Sequence, residues 1–591
     1  MEIKRLFDFP YHALQSHPKD DCIATKLKGQ WTKTSTQSFV DDANKISRAL
    51  LRLGLGPNDK IAMISNNRTE WNICDIGILQ IGAQDVPIYP TASEADYNFI
   101  FNDASIKLCI VSDQELYEKV LRVKPGVESL GEVYTFDEVE GAKNWRELLA
   151  LGEDDSNQSD VEKLMADVKT EDLATLIYTS GTTGTPKGVM LSHQNIVSNV
   201  MASEPRLPVD TNAKGVSFLP LCHIYERMII YLYVYTGVSL YYAESLETIG
   251  DDIREVQPEV FTAVPRLLEK VYDKIIAKGE DLSGIKRALF FWAVSLGEEY
   301  AVVGKSGFYK WKLGIARKLI FSKWQEALGG KVKAVASGSA ALNPRLARIF
   351  LAAGIGIQEG YGLTETSPVV SVNGSTDDER RIGTVGPVID KVQVKIAEDG
   401  EILVKGPNVM MGYYNRPDLT AEVIKDGWFH TGDIGTIVED KFLKITDRKK
   451  QIFKTSGGKY IAPQIMENTF KESRFIEQIM VIGEGQKHPA AFIQPDFAHL
   501  QSWCKIKEIP YTTNEEMIKN ERILARFHKE IEKKNEPYGN WERIKRFALT
   551  PALWTTEGGE LTPTMKLRRK PILEKYQEEY KHIYGADAVR P

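Results

Sequence analysis

Residues 178–188 read YTSGTTGTPKG, with three glycines, five Ser or Thr hydroxyls and one lysine. Glycine lets backbone N–H groups approach a ligand closely, the hydroxyls add donors and Lys187 adds positive charge, so the composition suits a polyphosphate. The order is not that of a P-loop, which needs Gly before the lysine and a hydroxyl after it; here Pro186 precedes and Gly188 follows. The dinucleotide fingerprint G-x-G-x-x-G is also absent from the stretch. Further chemistry-bearing groups sit in QEGYGLTET (358–366), FLPLCHIYER (218–227), WFHTGDIG (428–435) and LTPTMKLRRK (561–570). Taken alone, Glu365 reads as a surface carboxylate, His223 as a satisfied histidine in an apolar stretch, and the run from Lys566 to Lys570 as a solvated basic patch.

The elements that must position these groups follow from periodicity. LATLIYT (173–179) predicts a strand running into the Gly/Ser/Thr loop. KIAMISNN before TEWNICDIGILQIGA, KLCIVSD before QELYEKVLRV and KVKAVASG before PRLARIFLAAG repeat a strand-then-helix order. That order predicts α/β architecture with largely parallel sheets, whose ligands collect beyond the carboxyl ends of strands. MIIYLYVYTGVSLYYA (228–243) is too short to span a bilayer and reads as a buried helix followed by a strand. After about residue 375, alternating segments with tight turns predict an antiparallel lobe. From Lys449 onward a last unit begins, with hairpin-like EQIMVIGEGQKHPAAFIQPD and then charged helices.

With 591 residues, 42% hydrophobic and 26% charged, the chain has the composition of a multidomain soluble protein long enough to enclose a substrate. A net charge of -6 argues against nonspecific nucleic-acid binding as its task. Five scattered cysteines without C-x-x-C spacing indicate neither a disulfide framework nor a zinc site, and the N-terminus lacks a signal-peptide pattern. Both features point to a reducing cytoplasm.

YTSGTTGTPKGVMLSH, FLPLCHIYER, ASGSAAL (336–342), QEGYGLTET, WFHTGDIG, ITDRKKQIFKTSGGKYIAP (445–463) and LTPTMKLRRK occur in the order found in adenylate-forming enzymes. The sequence resembles that family over nearly its whole length. The resemblance implies a large N-terminal domain (1–447) of two doubly wound αβα subdomains (about 1–374) and a small β-barrel-like subdomain (about 375–447). A hinge at 447–451 with Lys450 as pivot, and a small mobile α+β C-terminal domain (452–591), would follow. It also implies roles. Thr179, Ser180, Gly181, Thr182, Thr183, Gly184 and Lys187 would wrap the ATP phosphates. Gly338, Ser339 and Ala340 would wall the adenine pocket, with Gln358, Gly360, Tyr361 and Gly362 completing the nucleotide site and Tyr361 facing adenine. Thr364 would meet the α-phosphate, and Glu365, with Thr182, would hold Mg2+. Asp433 and Arg448 would bind ribose, and His223 would lie beside the substrate carboxylate. Lys566 would stabilise charge in acyl-adenylate formation, and Lys454 and Gly457 would line the CoA thiol channel. The form TMK (564–566) departs from the commoner S-G-K.

FLPLCHIYER, LTPTMKLRRK and the long aromatic, basic stretch 271–330 resemble the long-chain fatty acyl-CoA synthetase branch, with fatty acid, ATP and CoA as substrates. A fatty acyl-AMP ligase that loads a carrier protein and a non-catalytic nucleotide or fatty-acid binding homologue stay open as alternatives, as do monomer and homodimer. Phe308, Trp311, Ile315 and Leu319 recur at helical spacing among Lys310, Lys312, Arg317, Lys318 and Lys323. Such a helix either packs on its own domain with a solvated basic face or touches anionic lipid, which would put the protein at the inner face of a membrane.

Overall fold

The structure is a computed structural model that describes residues 2–180, 186–245, 247–449, 451–555, 558–562 and 566–585. By compactness the chain divides into one unit of residues 1–395, 403–431 and 437–443 and a second of residues 396–402, 432–436 and 444–591. The expected hinge, 447–451, falls within the last of these segments, and Lys450 lies outside the described residues.

The first unit holds two eight-stranded sheets. One runs, from edge to edge, Val369–Val372, Gly356–Gly362, Ala334–Ser337, Val260–Ala263, Lys214–Ser217, Ser239–Tyr242, Ile23–Leu27 and Gln30–Thr34. Its interior pairs are parallel and both end pairs antiparallel. The other runs Gly412–Tyr413, Pro186–Ser192, Leu173–Ser180, Gln84–Pro87, Lys60–Ile64, Leu108–Val111, Val133–Thr135 and Lys143–Asn144. Here too the parallel centre gives way to antiparallel strands at the Gly412–Tyr413 edge. The predicted strand into the phosphate loop is therefore present, and its return strand begins at Pro186. Strand order is crossed rather than sequential, as expected for helices wound on both sheet faces.

The helix Ile224–Thr236 is buried on every side from Ile224 through Val234, apart from half-buried Tyr225, and the strand Ser239–Tyr242 follows it. Gly237, at φ +73°, makes the left-handed turn between them. The antiparallel lobe expected after 375 appears as a five-stranded sheet of Gln393–Ile396, Glu401–Lys405, Ile424–Lys425, Trp428–Val438 and Phe442–Arg448.

In the second unit, Ile476–Ile482 pairs antiparallel with Ala490–Pro495, which pairs parallel with Arg546–Leu549. The period of two along these strands divides the core. Ile479, Val481, Ala491 and Ile493 face one apolar cluster with the helices Pro463–Phe470, Phe497–Ile506 and Glu521–Asn535, whereas Met480, Ile482, Ala490 and Phe492 pack with Ile572, Tyr576, Tyr580 and Ile583. Among the described residues no helix is long and apolar enough to cross a membrane.

Candidate active site

In the first unit, the strand Leu173–Ser180 puts Thr179 opposite Lys187 on the return strand. Gly181, Thr182, Thr183 and Gly184 lie outside the described residues, as does the side chain of Ser180. Gly188 is needed because a Cβ there would meet the Tyr178 ring at 3.0 Å, and the Tyr178 hydroxyl is fixed by donating to Asp103 at 2.6 Å. The ammonium of Lys187 sits 5.1 Å from the centre of the Tyr413 ring. The hydroxyl of Tyr413 donates to Glu365 Oε1 at 2.8 Å. Met410 N–H donates to the Glu365 carbonyl, and Tyr414 and Met411 donate to the carbonyls of Gly188 and Met190. Segment 410–414 thus ties the lysine of one motif to the carboxylate of another, through a tyrosine that the sequence reading did not single out. Burial and the neighbouring Glu365 carboxylate hold the Tyr413 phenol well above its ordinary range, so it acts as a proton donor.

The strand Gly356–Gly362 delivers QEGYGLTET. Gly362 admits no side chain, since a Cβ would lie 1.8 Å from the Pro368 carbonyl oxygen, and Gly360 packs on Ser371 and Val372. Tyr361 is half-buried opposite Ser371, Thr364 is buried in a short turn, and Glu365 follows on the partly exposed side. Gln358 is buried, and its amide donates to the Arg206 carbonyl at 2.7 Å, a structural bond. Burial alone pushes the Glu359 carboxyl up to about 8, so it is largely protonated at neutral pH.

Beside this strand, Gly338 lies under Tyr225, whose ring would be 3.3 Å from an added Cβ; Ser339 is half-buried at φ +67° and Ala340 is exposed. Tyr225 belongs to the same helix start as His223, so FLPLCHIYER and ASGSAAL converge. His223 is the N-cap of that helix, its Nδ1 accepting from Tyr225 N–H at 3.1 Å, which leaves the neutral ring's proton on Nε2.

The helix start is fixed to the sheet by Glu226, whose two oxygens accept from Ser217 at 2.5 Å and Thr262 at 2.6 Å at the carboxyl ends of adjacent strands. The next residue, Arg227, is fully buried between Asp75 at 2.6 Å and Asp85 at 2.9 Å, with Thr175 accepting a further bond and Trp71 beneath the guanidinium. Burial, with Asp85 close by, raises the Asp75 carboxyl above its ordinary range against the pull of Arg227.

Burial likewise pushes Glu226 up to about 7, against its two hydroxyl donors. An acid with a raised folded pKa costs nothing where both states are protonated. Its cost grows as pH rises from its unfolded value towards its folded one, here by up to about 3 kcal/mol, and then levels off. Glu226→Gln lacks that term. Its melting temperature relative to the parent is therefore expected to rise between about pH 5 and about pH 8; parallel profiles would contradict the assignment.

In the second unit, Asp433 is buried and paired with Arg448, Nε to Oδ1 3.1 Å. Glu401 orders the turn beside it, accepting from Gly432 N–H at 2.8 Å and from Lys449 Nζ at 3.0 Å. The structure therefore brings together the two residues read as ribose contacts. Burial raises Asp447 to about 6 although Arg448 N–H donates to it. Phe453–Lys454 and Tyr460–Ile461 form a hairpin in which Lys454 lies over the Tyr460 ring at 4.6 Å. Gly458, at φ +75°, is the residue this turn requires; a side chain on Gly457 would meet only Thr455 Oγ1, at 3.9 Å, so Gly457 borders open space.

Lys566 is half-buried, and its backbone is joined to Thr562 by Thr562 N–H to the Lys566 carbonyl at 2.8 Å and Lys566 N–H to Thr562 Oγ1 at 3.0 Å. Thr564 and Met565 lie outside the described residues. The described residues on both sides are anchored. Arg569 binds Glu467 and the Val481 carbonyl, and buried Glu560 accepts from Thr555 N–H and Lys575. Lys570 is exposed.

No group of three or more metal-ligating side chains occurs among the described residues. Mg2+ keeps several waters and takes one or two protein oxygens alongside substrate phosphates, so holding it requires no such group. Glu365, one oxygen of which accepts from the tyrosine that also carries Lys187 over its ring, is the candidate for such an oxygen.

Residues 11–414 match the AMP-binding enzyme family and residues 450–588 the AMP-binding enzyme C-terminal domain. The long-chain-fatty-acid--CoA ligase FadD15 of Mycobacterium bovis is 30% identical, over 97% of this chain and 96% of that protein. The long-chain-fatty-acid--CoA ligase 1 of Cavia porcellus is 31% identical, over 100% of this chain and 88% of that protein. Among solved structures, the A domain of a carboxylic acid reductase from Segniliparus rugosus, in complex with AMP and a co-purified carboxylic acid, superposes with a TM-score of 0.76 at 20% identity, covering 100% of this chain and 95% of that one. A Mycobacterium tuberculosis fatty acyl CoA synthetase gives 0.64 at 19%, covering 98% and 99%; these two likenesses concern the fold. Matched in both of its domains and along almost all of its length, the chain belongs to the AMP-binding enzyme family.

Proposed function

We propose that the protein is an ATP-dependent fatty acid:CoA ligase acting on long-chain acids. The observation that carries this reading is the junction of Lys187, Tyr413 and Glu365, in a chain whose entire length is similar to long-chain-fatty-acid--CoA ligases. A lysine and a magnesium-holding carboxylate joined in this way suit the cleavage of a nucleoside triphosphate, whose phosphate charge both would neutralise.

A carboxylate is a poor electrophile, so a leaving group must be installed before a thiol can add. In the first step the acid's oxygen attacks the α-phosphorus of ATP, the bond to pyrophosphate breaks, and an acyl-adenylate forms. In the second, the CoA sulfur attacks the acyl carbon, AMP leaves with the bonding electrons, and the thiol proton passes to solvent. Magnesium, when bound, neutralises phosphate charge, and Glu365 with Thr182 would hold it.

The chain's own groups have these tasks. Thr179, Ser180, the loop 181–184 and Lys187 cradle the β- and γ-phosphates, and Thr364 reaches the α-phosphate. Gly338, Ser339, Ala340 and Tyr361 take the adenine, with Gly360 and Gly362 permitting the close strand pairing behind it and Gln358 bracing it through Arg206. Asp433 accepts the ribose hydroxyls, with Arg448 beside it. Capping fixes the His223 ring near the acid; no base is needed, since a carboxylic acid is already ionised at neutral pH. Lys566 stabilises charge in the first step, and exchange of its turn for the 454–460 hairpin, with Lys454 and Gly457, serves the second by rotation about 447–451. Five free, buried cysteines support a reducing cytoplasmic setting.

The test supplies ATP, Mg2+ and a graded series of fatty acids, with and without free CoA, and measures pyrophosphate, AMP and acyl-CoA. Acyl-CoA and AMP in equal amounts, favouring long chains, are expected. Adenylate that accumulates without reacting with free CoA would overturn the ligase assignment.

A further inference from the structure

The helix Gly307–Ala316 and the turn Arg317–Phe321 that continues it have two apolar faces, and the fold uses only one. Tyr309, Leu313, Ala316 and Phe321 point into the core, and the Tyr309 hydroxyl donates to the Leu296 carbonyl at 2.8 Å. Phe308, Trp311 and Leu319 remain 64%, 61% and 53% exposed, and Ile315 between them is half-buried. At spacings of three and four these residues form a single stripe. Phe308 and Trp311 stack at 5.8 Å, and Lys312 covers the Phe308 ring at 4.4 Å. The helix Gly284–Glu298, packed against this one, also exposes Ile285 and Leu289. A large aromatic stripe left in water is unfavourable unless something covers it.

The charges around the stripe select what covers it. Residues 300–322 contain five basic and no acidic residues, in a chain whose net charge is -6. Lys312 covers the Phe308 ring, Lys305 the Tyr309 ring, and Lys310 and Lys318 are exposed on the same segment, whereas Arg317 is engaged by the backbone carbonyls of Leu351 and Ala352. A second copy presenting the same face would set like charges against each other. An anionic bilayer meets both features. Tryptophan and phenylalanine lodge at the headgroup level, and lysines pair with lipid phosphates above them. We propose that the Gly307–Ala316 helix and its continuing turn form a docking face for anionic membranes, on which the protein lies without spanning. The proposal stands apart from the ligase reading, because binding needs no nucleotide or acid.

Flotation of the full chain is measured with vesicles of phosphatidylcholine alone, or mixed with phosphatidylglycerol at about seven to three. The protein is expected to float with the anionic vesicles, about tenfold more tightly than with neutral ones, and to be released by salt. Phe308→Ser with Trp311→Ser, and separately Lys310→Glu with Lys312→Glu, are each expected to weaken binding about tenfold or more while leaving melting temperature unchanged, since all four side chains are outside the core. Absence of flotation on anionic vesicles at low salt would overturn the proposal. So would flotation indifferent to both variants, a Trp311→Ser variant that dissociates a dimer, or a stripe that captures an acidic polypeptide and no vesicle.

Discussion

Lys566→Ala is expected to lower acid-dependent adenylate formation on the order of a thousandfold while leaving thioester formation from supplied acyl-adenylate within about threefold of the parent. The first step gathers negative charge on an α-phosphate approached by a carboxylate, and a lysine offers a compact positive charge without a fixed fork to satisfy. The second step expels AMP from a carbon centre and has no such need. The backbone of Lys566 is held at Thr562 by two hydrogen bonds, and the neighbouring Arg569 and Glu560 are themselves tied to Glu467, the Val481 carbonyl and Lys575. Lys570→Ala is the control, because that side chain is exposed and should alter neither step. Equal loss of both steps in Lys566→Ala, with the fold intact by circular dichroism, would refute the division of labour.

Tyr413→Phe is expected to raise the magnesium concentration needed for half-maximal rate about tenfold or more, with little change at saturating magnesium and no change in melting temperature. The variant keeps the ring on which Lys187 rests and removes only the hydroxyl that donates to Glu365. A purely structural tyrosine would lose stability or turnover without shifting the metal requirement. Glu365→Gln should lose activity on the order of a hundredfold or more, because it removes the charge as well as the orientation. If Tyr413→Phe left the magnesium dependence unchanged, the tyrosine would be packing alone.

Much of this arrangement was legible in the linear chain because it rests on local pattern. Leu173–Ser180 is rich in apolar and β-branched residues that end in small polar ones, and the structure has a strand there. MIIYLYVYT carries no charge and is mostly aliphatic or aromatic, and the structure buries that helix on nearly all sides. Asp433 and Arg448 were assigned one task from two successive motifs, and they prove to be ion-paired.

What was not legible depends on contacts between distant segments. Tyr413 lies 48 residues from Glu365, in a stretch whose composition suggests only a turn and short strands. Nothing local distinguishes it from Tyr414. Arg227, Asp75 and Asp85 left a faint signal, since a charge inside an apolar run such as NICDIGIL or ERMIIYLY must find a partner, but the sequence does not say which. The glycine pair at 457–458 shows the same limit. Composition marks both, and only backbone geometry shows that Gly458 makes the turn while Gly457 borders open space. The aromatic helix beginning at Gly307 was ambiguous for a comparable reason. Its spacing predicts an apolar face, and side-chain exposure reveals that it has two.

The account's central claim is that one site joins a fatty acid to AMP before any thiol takes part. Labelled pyrophosphate exchange into ATP, measured with Mg2+ and a long-chain fatty acid but no CoA, tests it most directly. Exchange that requires the acid and disappears in Lys566→Ala is the predicted result; no acid-dependent exchange by folded, purified protein would contradict it.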